Sequence, residues 1–127
     1  GLIIFDIDDF KQVNDTFGHI IGDEVIRLVA EKLQFCVCTS NLIVRYGGDE
    51  FLVLIEQVDF KDAWSIANKI LEEIGSSELY IAEINQNIQI SVSAGVAVGA
   101  ASWMALLEKA DKSLFQAKEN GKNKVVG

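Results

Sequence analysis

The sequence predicts an α/β domain of the α+β sandwich type, with helices packed on a mostly antiparallel sheet in the ferredoxin-like plan. Three observations carry that expectation. The chain opens on a continuous apolar run, GLIIFDI (1–7), which fits a strand covered on both faces. Residues 42–55 hold two apolar stretches joined through Gly47 and Gly48, a hairpin pattern. Helical and strand-like segments then follow in the order β-α-α-β-β-α-β-β-α-β, whose β-α-β-β-α-β kernel is ferredoxin-like.

Each element has its own reason. After the first strand, residues from Asp9 to about Thr16 fit a short helical turn. GDEVIRLVAEKLQFC (22–36) places Val25, Val29, Leu33 and Cys36 at helical spacing. Strands follow at Leu42–Tyr46 and Phe51–Ile55, with the glycines between them expected at positive φ. Asp59 is a natural N-cap for a helix carrying Phe60, Ala63, Ala67, Ile70, Leu71 and Ile74 on one face. ELYIAEI (78–84), the turn NQN and IQISVSAGVAV (88–98) predict a second hairpin. Its later strand puts Ile88, Ile90, Val92, Ala94, Val96 and Val98 on one face. Ser102 fits the cap of a last helix with Leu106, Leu107, Ala110, Leu114 and Ala117, stopped at Asn120-Gly121. KVV (124–126) predicts a final edge strand.

Composition narrows the class. Half of the 127 residues are hydrophobic, enough for one well-packed core, and no proline, repeat or linker divides the chain. The expectation is a single domain over residues 1–127. No apolar run reaches the roughly 18 residues of a membrane span. The net charge of −8 argues against a nucleic-acid polymer as partner, though not against a nucleotide held through metal ions. Cys36 and Cys38 are too close for an ordinary disulfide and lack zinc-site spacing, so they read as two reduced thiols.

Two acidic points mark the chemistry: FDIDDFK at the end of the first strand and GGDE at the hairpin turn. In a ferredoxin-like sheet these strands are neighbours, so Asp6 and Asp49 are expected to meet. Magnesium suits one or two carboxylates plus substrate phosphates, and Gly47 and Gly48 leave room where a Cβ would block the approach. The plainer alternatives are that Asp8 and Asp9 are acids at a helix start, and that Asp49 and Glu50 are solvated turn residues.

FDIDDFKQVNDTFGHIIGDEV, RYGGDEF, SVSAGVA and ADKSLFQAKENGKN together resemble the GGDEF domains, the diguanylate cyclases, in order and approximate spacing. The resemblance covers nearly the whole chain. It implies a fold like the palm of polymerases and nucleotidyl cyclases. It also implies condensation of two GTP molecules into cyclic di-GMP, dependent on Mg2+ (with Mn2+ as an alternative), by a homodimer with one GTP per subunit. By position, Asp6 and Asp49 match the family's metal ligands, assisted by the Ile7 carbonyl. Glu50 matches the second signature acid, which takes the ribose 3′-hydroxyl proton or a second metal. Asn14 and Asp23 match the pair that reads guanine, and Phe10 and Ile26 the walls around the base. Lys11, Lys118 and Lys122 match phosphate contacts, and Arg45 a residue acting at the α-phosphate.

The sequence also departs from the family. Cys38 and Asn41 stand where the product-inhibition motif R-x-x-D has its charges, and Lys122 stands where many members have Arg, which loses the bidentate fork. The helix that normally precedes the first strand is absent. The resemblance therefore implies the cytosolic domain of a larger protein, membrane-anchored or not. It makes no direct membrane contact itself and follows an N-terminal sensory or dimerisation domain. A second reading is a non-catalytic GTP-binding regulatory module joined to a sensor or phosphodiesterase domain; such modules usually carry a damaged signature. A third, a structural oligomerisation domain, explains none of the polar constellation.

Overall fold

The computed structural model describes every residue except Ser40, Glu83 and Ala101. The elements run β1 (Leu2–Ile7), α1 (Phe10–Phe17), α2 (His19–Cys36), β2 (Leu42–Arg45), β3 (Glu50–Leu54), α3 (Phe60–Gly75), β4 (Glu78–Ile81), β5 (Gln86–Gln89), β6 (Val92–Ala97), α4 (Trp103–Glu119) and β7 (Val125–Val126). Five strands form one sheet in the order β2-β3-β1-β6-β7. All its pairings are antiparallel except β6 with β7.

β1 lies at the centre, and all six of its residues are buried. The two-residue period of a strand splits them between opposite faces. Ile3, Phe5 and Ile7 join Val25, Val29 and Leu33 of α2 and Ala63, Ala67, Ile70 and Ile74 of α3. Leu2 and Ile4 turn the other way, onto Leu52, Leu106, Ala110 and Leu114. The result is a sheet with α2 and α3 on one side and α4 on the other. The predicted caps are in place: Asp59 Oδ1 accepts from the Asp62 amide at 2.8 Å, and Ser102 Oγ accepts from the Ala105 amide at 3.1 Å. Gly121, at φ 106°, follows the end of α4.

The structure corrects several boundaries. The predicted strand 88–98 is two strands: β5 pairs with β4 in a separate hairpin, while β6 enters the main sheet. The break at Ile90-Ser91 follows from Ser91, whose carbonyl accepts from the Asp8 amide at 2.9 Å and whose hydroxyl donates to Asp8 Oδ2 at 2.7 Å. β4 ends at Ile81, and Glu83 of the predicted longer strand lies outside the described residues. α2 begins three residues before the predicted start, at His19, and Glu50 belongs to β3 rather than to the turn. Gly47 and Gly48 do not take positive φ, so the hairpin does not require them for backbone freedom.

Gly95 of β6 sets how closely α4 approaches the sheet. A Cβ there would lie 2.0 Å from the Ala110 carbonyl oxygen and 2.5 Å from the Leu114 nitrogen. Both are helix backbone atoms, which cannot step aside as a side chain would. Gly95→Ala should therefore cost about 1–3 kcal/mol, read as a lower urea midpoint at unchanged slope. An unchanged midpoint would show that α4 can lift without loss.

Candidate functional site

The alternation that buries β1 also creates the site. Positions 2, 4, 6 and 8 follow one side, and the apolar pair Leu2 and Ile4 gives way to Asp6 and Asp8 where β1 ends. Asp6 is directly opposite Glu50 of β3, and the Ile7 amide donates to the Asp49 carbonyl at 3.1 Å. The expected meeting of strand end and hairpin turn is realised. Carboxylate oxygens of Asp6, Asp49 and Glu50 lie within 4.8 Å of one another.

Asp6 is 6% exposed, and its Oδ1 is buried without a hydrogen-bond partner. Its Oδ2 accepts from Lys118 Nζ, delivered by the last turn of α4. A buried carboxylate with an unpartnered oxygen, grouped with two further acids, fits a divalent cation, which supplies positive charge and accepts oxygen ligands. Burial, opposed by Lys118 and reinforced by Asp49, pushes the Asp6 carboxyl up to about 7. Burial also raises Glu50, with Asp49 and Asp111 adding repulsion against the attraction of Lys118. Glu50 further lines a cleft of about 580 Å³ with Tyr46, Met104, Ala105, Leu107, Glu108 and Asp111.

The other predicted site residues lie at the hairpin turn, on α1 and α2, and just past α4. Gly47 and Gly48 leave open space: a Cβ at 47 would meet only Glu50 Cβ, at 3.8 Å, and one at 48 would meet nothing within 4 Å. Since neither conformation nor packing among the described residues demands glycine there, an incoming group remains a reason for them. Arg45 folds back on this turn, its Nη2 donating to the Gly48 carbonyl at 2.8 Å. Here its guanidinium braces the hairpin.

Asn14 of α1 lies against α2 at Gly22, where a Cβ would sit 1.9 Å from Asn14 Oδ1 and 3.4 Å from Phe10 Cζ. Gly22 thus lets α1 close onto α2 and brings Asn14 beside the turn that carries Asp23. Asp23 is exposed, so leaving it unpaired becomes costly only when a ligand covers it. Phe10 and Ile26 are half-buried at the edge of the main core, and Lys11 is exposed on α1. Lys122 Nζ donates to Asp9 Oδ1 at 2.5 Å, and that bond raises the lysine's pKa.

Sequence reasoning missed the support beneath these groups. Asp8 does not act as a helix-start acid, because α1 has no side-chain cap and its N-cap is Asp9 in the left-handed region. Asp8 is buried, and its carboxylate accepts from Ser91 Oγ at 2.7 Å, Ser93 Oγ at 2.6 Å and the Asn123 amide at 3.0 Å. Ser91 and Ser93, at successive polar positions of the 88–98 segment, were the available signal. For Gly22 the signal was a lone glycine inside a helical pattern.

The family model for the diguanylate cyclase GGDEF domain matches residues 1–124. The response regulator PleD of Caulobacter vibrioides is 41% identical over 98% of the chain, which spans 28% of PleD. The crystal structure of the GGDEF domain of DgcB from Caulobacter crescentus, in complex with c-di-GMP, superposes with a TM-score of 0.94 at 34% identity. That match covers 98% of this chain and 75% of DgcB's crystallised chain. The coiled coil and GGDEF domain of the same protein, also with c-di-GMP, matches at TM-score 0.94 and 33% identity, over 98% and 67% of the two chains. No helix among the described residues is long and apolar enough to cross a membrane.

The raised Asp6 makes a pH prediction. Its folded value of about 7 lies above the ordinary 3.8, so the native state holds a proton that the unfolded chain has released. That contribution to stability is fully present below the ordinary value and is lost as pH rises through the folded one. A cation must displace the same proton. Mg2+ should therefore raise Tm more at about pH 8 than at about pH 6, and Asp49→Ala should remove the increment. A Mg2+ effect of equal size at both pH values would count against a site centred on Asp6.

Proposed function

The chain belongs to the GGDEF domain family, and on that premise we propose that it is the catalytic domain of a diguanylate cyclase, one part of a longer protein. It binds GTP with Mg2+ and, facing a second copy, condenses two GTP into cyclic di-GMP with release of two pyrophosphates. The observation that carries this reading is the buried Asp6 carboxylate, one oxygen of which has no hydrogen-bond partner, grouped with the carboxylates of Asp49 and Glu50. An acidic turn with only a solvated role would leave no such oxygen inside the protein.

Asp6, Asp49 and the Ile7 carbonyl would hold Mg2+, which would supply charge neutralisation at the phosphates and the reacting oxygens. The chain's own groups position the rest. Glu50, raised by burial and by its acidic neighbours, accepts the proton of the ribose 3′-hydroxyl as that oxygen attacks the α-phosphorus of the opposite GTP. Pyrophosphate leaves from the attacked phosphorus. Gly47 and Gly48 admit the phosphates, Lys11, Lys118 and Lys122 balance their charge, and Arg45 at the same turn acts on the α-phosphate side. For Lys118 this would require leaving Asp6 Oδ2. Asn14 and Asp23 read guanine: the carboxylate accepts from N1–H and N2–H, while the amide can donate and accept. Phe10 and Ile26 flank the base.

Each subunit supplies half of the reaction centre, so turnover requires two copies with two-fold symmetry. The buried apolar faces of α2, α3 and α4 are used in the chain's own core. We expect the isolated domain to be monomeric and nearly inactive until a dimerising partner raises the local concentration of the second half. Fusing the chain to a coiled coil should raise cyclic di-GMP formation steeply, and Asp49→Ala in that fusion should abolish it. Micromolar cyclic di-GMP should inhibit little through Cys38 and Asn41. Full activity of the monomeric chain at high dilution would overturn the half-site requirement, and wild-type turnover by Asp49→Ala would overturn the metal assignment.

Guanine selectivity gives a second check. ATP lacks the N1–H and N2–H donors, so it leaves a covered Asp23 unpaired at a cost of about 1–3 kcal/mol, roughly ten- to a hundredfold in affinity. Calorimetry with Mg2+ should show that preference for GTP and its loss in Asp23→Ala. Equal binding of ATP and GTP by the unaltered chain would sink the base-reading assignment.

A further inference from the structure

Lys122 and Asp9 are 113 residues apart in sequence yet form a direct pair with Nζ–Oδ1 at 2.5 Å. Both ends are held by unusual backbone. Asp9 is at φ 56°, and Gly121, Lys122 and Asn123 form a consecutive left-handed run at φ 106°, 64° and 51°. Side-chain residues enter that region only when their surroundings fix them. Here the Lys122 amide donates to the Ala117 carbonyl at 3.0 Å, and the Asn123 amide donates to Asp8 Oδ2 at 3.0 Å. The loop is thus tied on both sides of the Lys122 side chain, which projects to the start of α1.

At that start, Asp9 declines the usual task of an acid preceding a helix. Its carboxylate makes no capping bond to α1 and turns to Lys122 instead. The pair is accessible, with side chains 43% and 50% exposed, so it can open without exposing any core. Lys118 is likewise engaged, by Asp6. Both lysines near the end of α4 that the proposed function assigns to phosphate therefore hold carboxylates. The two cases differ: the Asp6 carboxylate is buried, whereas the Asp9 carboxylate is half exposed.

We propose that Asp9 is an affinity-setting residue, an internal anion that competes with the substrate's polyphosphate for Lys122. This inference rests on the proposed GTP site. The incoming polyphosphate must draw Lys122 away and then lies near an uncompensated Asp9 carboxylate. The competition weakens binding of the ground state and of the transition state alike, because the same phosphates are present in both. Its kinetic signature is a change in KM with little change in kcat.

The test is calorimetry of Mg2+–GTP, Mg2+–ATP, Mg2+–tripolyphosphate and guanosine with the unaltered chain, Asp9→Asn, Asp9→Glu, Lys122→Ala and the double variant Asp9→Asn/Lys122→Ala. Asn tolerates the left-handed conformation at position 9, so the fold is kept. Asp9→Asn should tighten GTP and tripolyphosphate roughly threefold to tenfold at low salt, less as salt rises. Asp9→Glu should restore unaltered affinity, and guanosine should not respond. In the coiled-coil fusion, Asp9→Asn should lower KM by a similar factor. Equal affinity of Asp9→Asn and the unaltered chain for both phosphate ligands would overturn the inference. So would a gain that persists undiminished in the Lys122→Ala background. Loss of the GTP-over-ATP preference with the tripolyphosphate difference intact would instead overturn the guanine site and leave the role of Asp9 standing.

Discussion

The buried carboxylate of Asp8 is the constraint on which the arrangement of this protein turns. It sits one residue past the central strand and collects three hydrogen bonds from groups remote in sequence: the Ser91 and Ser93 hydroxyls and the Asn123 amide. Hydrogen bonds to a charged acceptor contribute about 1.5–3 kcal/mol each, and a buried carboxylate deprived of them would be costly. Satisfying Asp8 therefore fixes three things together: where β1 ends, where the 86–97 segment breaks into two strands, and how the chain leaves α4.

Those three fixtures converge on the acidic centre. β1 holds Asp6 at the middle of the sheet, where β3 on one side supplies Glu50 and the adjoining turn supplies Asp49. Gly95 lets α4 lie directly on β6, so the last turn of that helix comes close enough for Lys118 to reach Asp6. The charges at the site are thus placed by backbone fit. Close-packed contact transmits displacement, so an addition of one methyl group to β6 would be felt at Asp6 through α4.

Much of this was legible in the chain itself. Val25, Val29 and Leu33, and Ala63, Ala67, Ile70 and Ile74, are spaced as helix faces and are buried as such. Asp59 and Ser102 announce helix starts because their side chains offer an acceptor to the free first-turn amides. The neighbourhood of Asp6 and Asp49 followed from the order of strands alone. What was hidden depends on partners far along the chain. Hydropathy alternates without interruption from Ile88 to Val98, and only the capture of Ser91 by Asp8 divides it. The Asp8 and Asp9 pair resembles a helix start locally, but each finds its partner more than 80 residues away. A glycine such as Gly22 or Gly95 shows in sequence that a side chain is missing, though not which neighbour occupies the space.

The helix α1 contributes no buried residue, unlike every other helix of the protein, and enters from a left-handed aspartate and leaves through Gly18 at φ 90°. Its hold on the body comes from half-buried Phe10 and Val13 and from the contact of Asn14 with Gly22. Stiffness is therefore graded: Asp6 stands on the best-secured strand, while Asn14, one half of the proposed base-reading pair, stands on the least-secured helix. Segments with few buried contacts open locally at low free energy, well below global unfolding. A base lodged between α1 and α2 would act as a brace, turning a compliant arm into part of the rigid frame. Part of its binding energy then goes into ordering α1, and its departure returns that freedom to the chain.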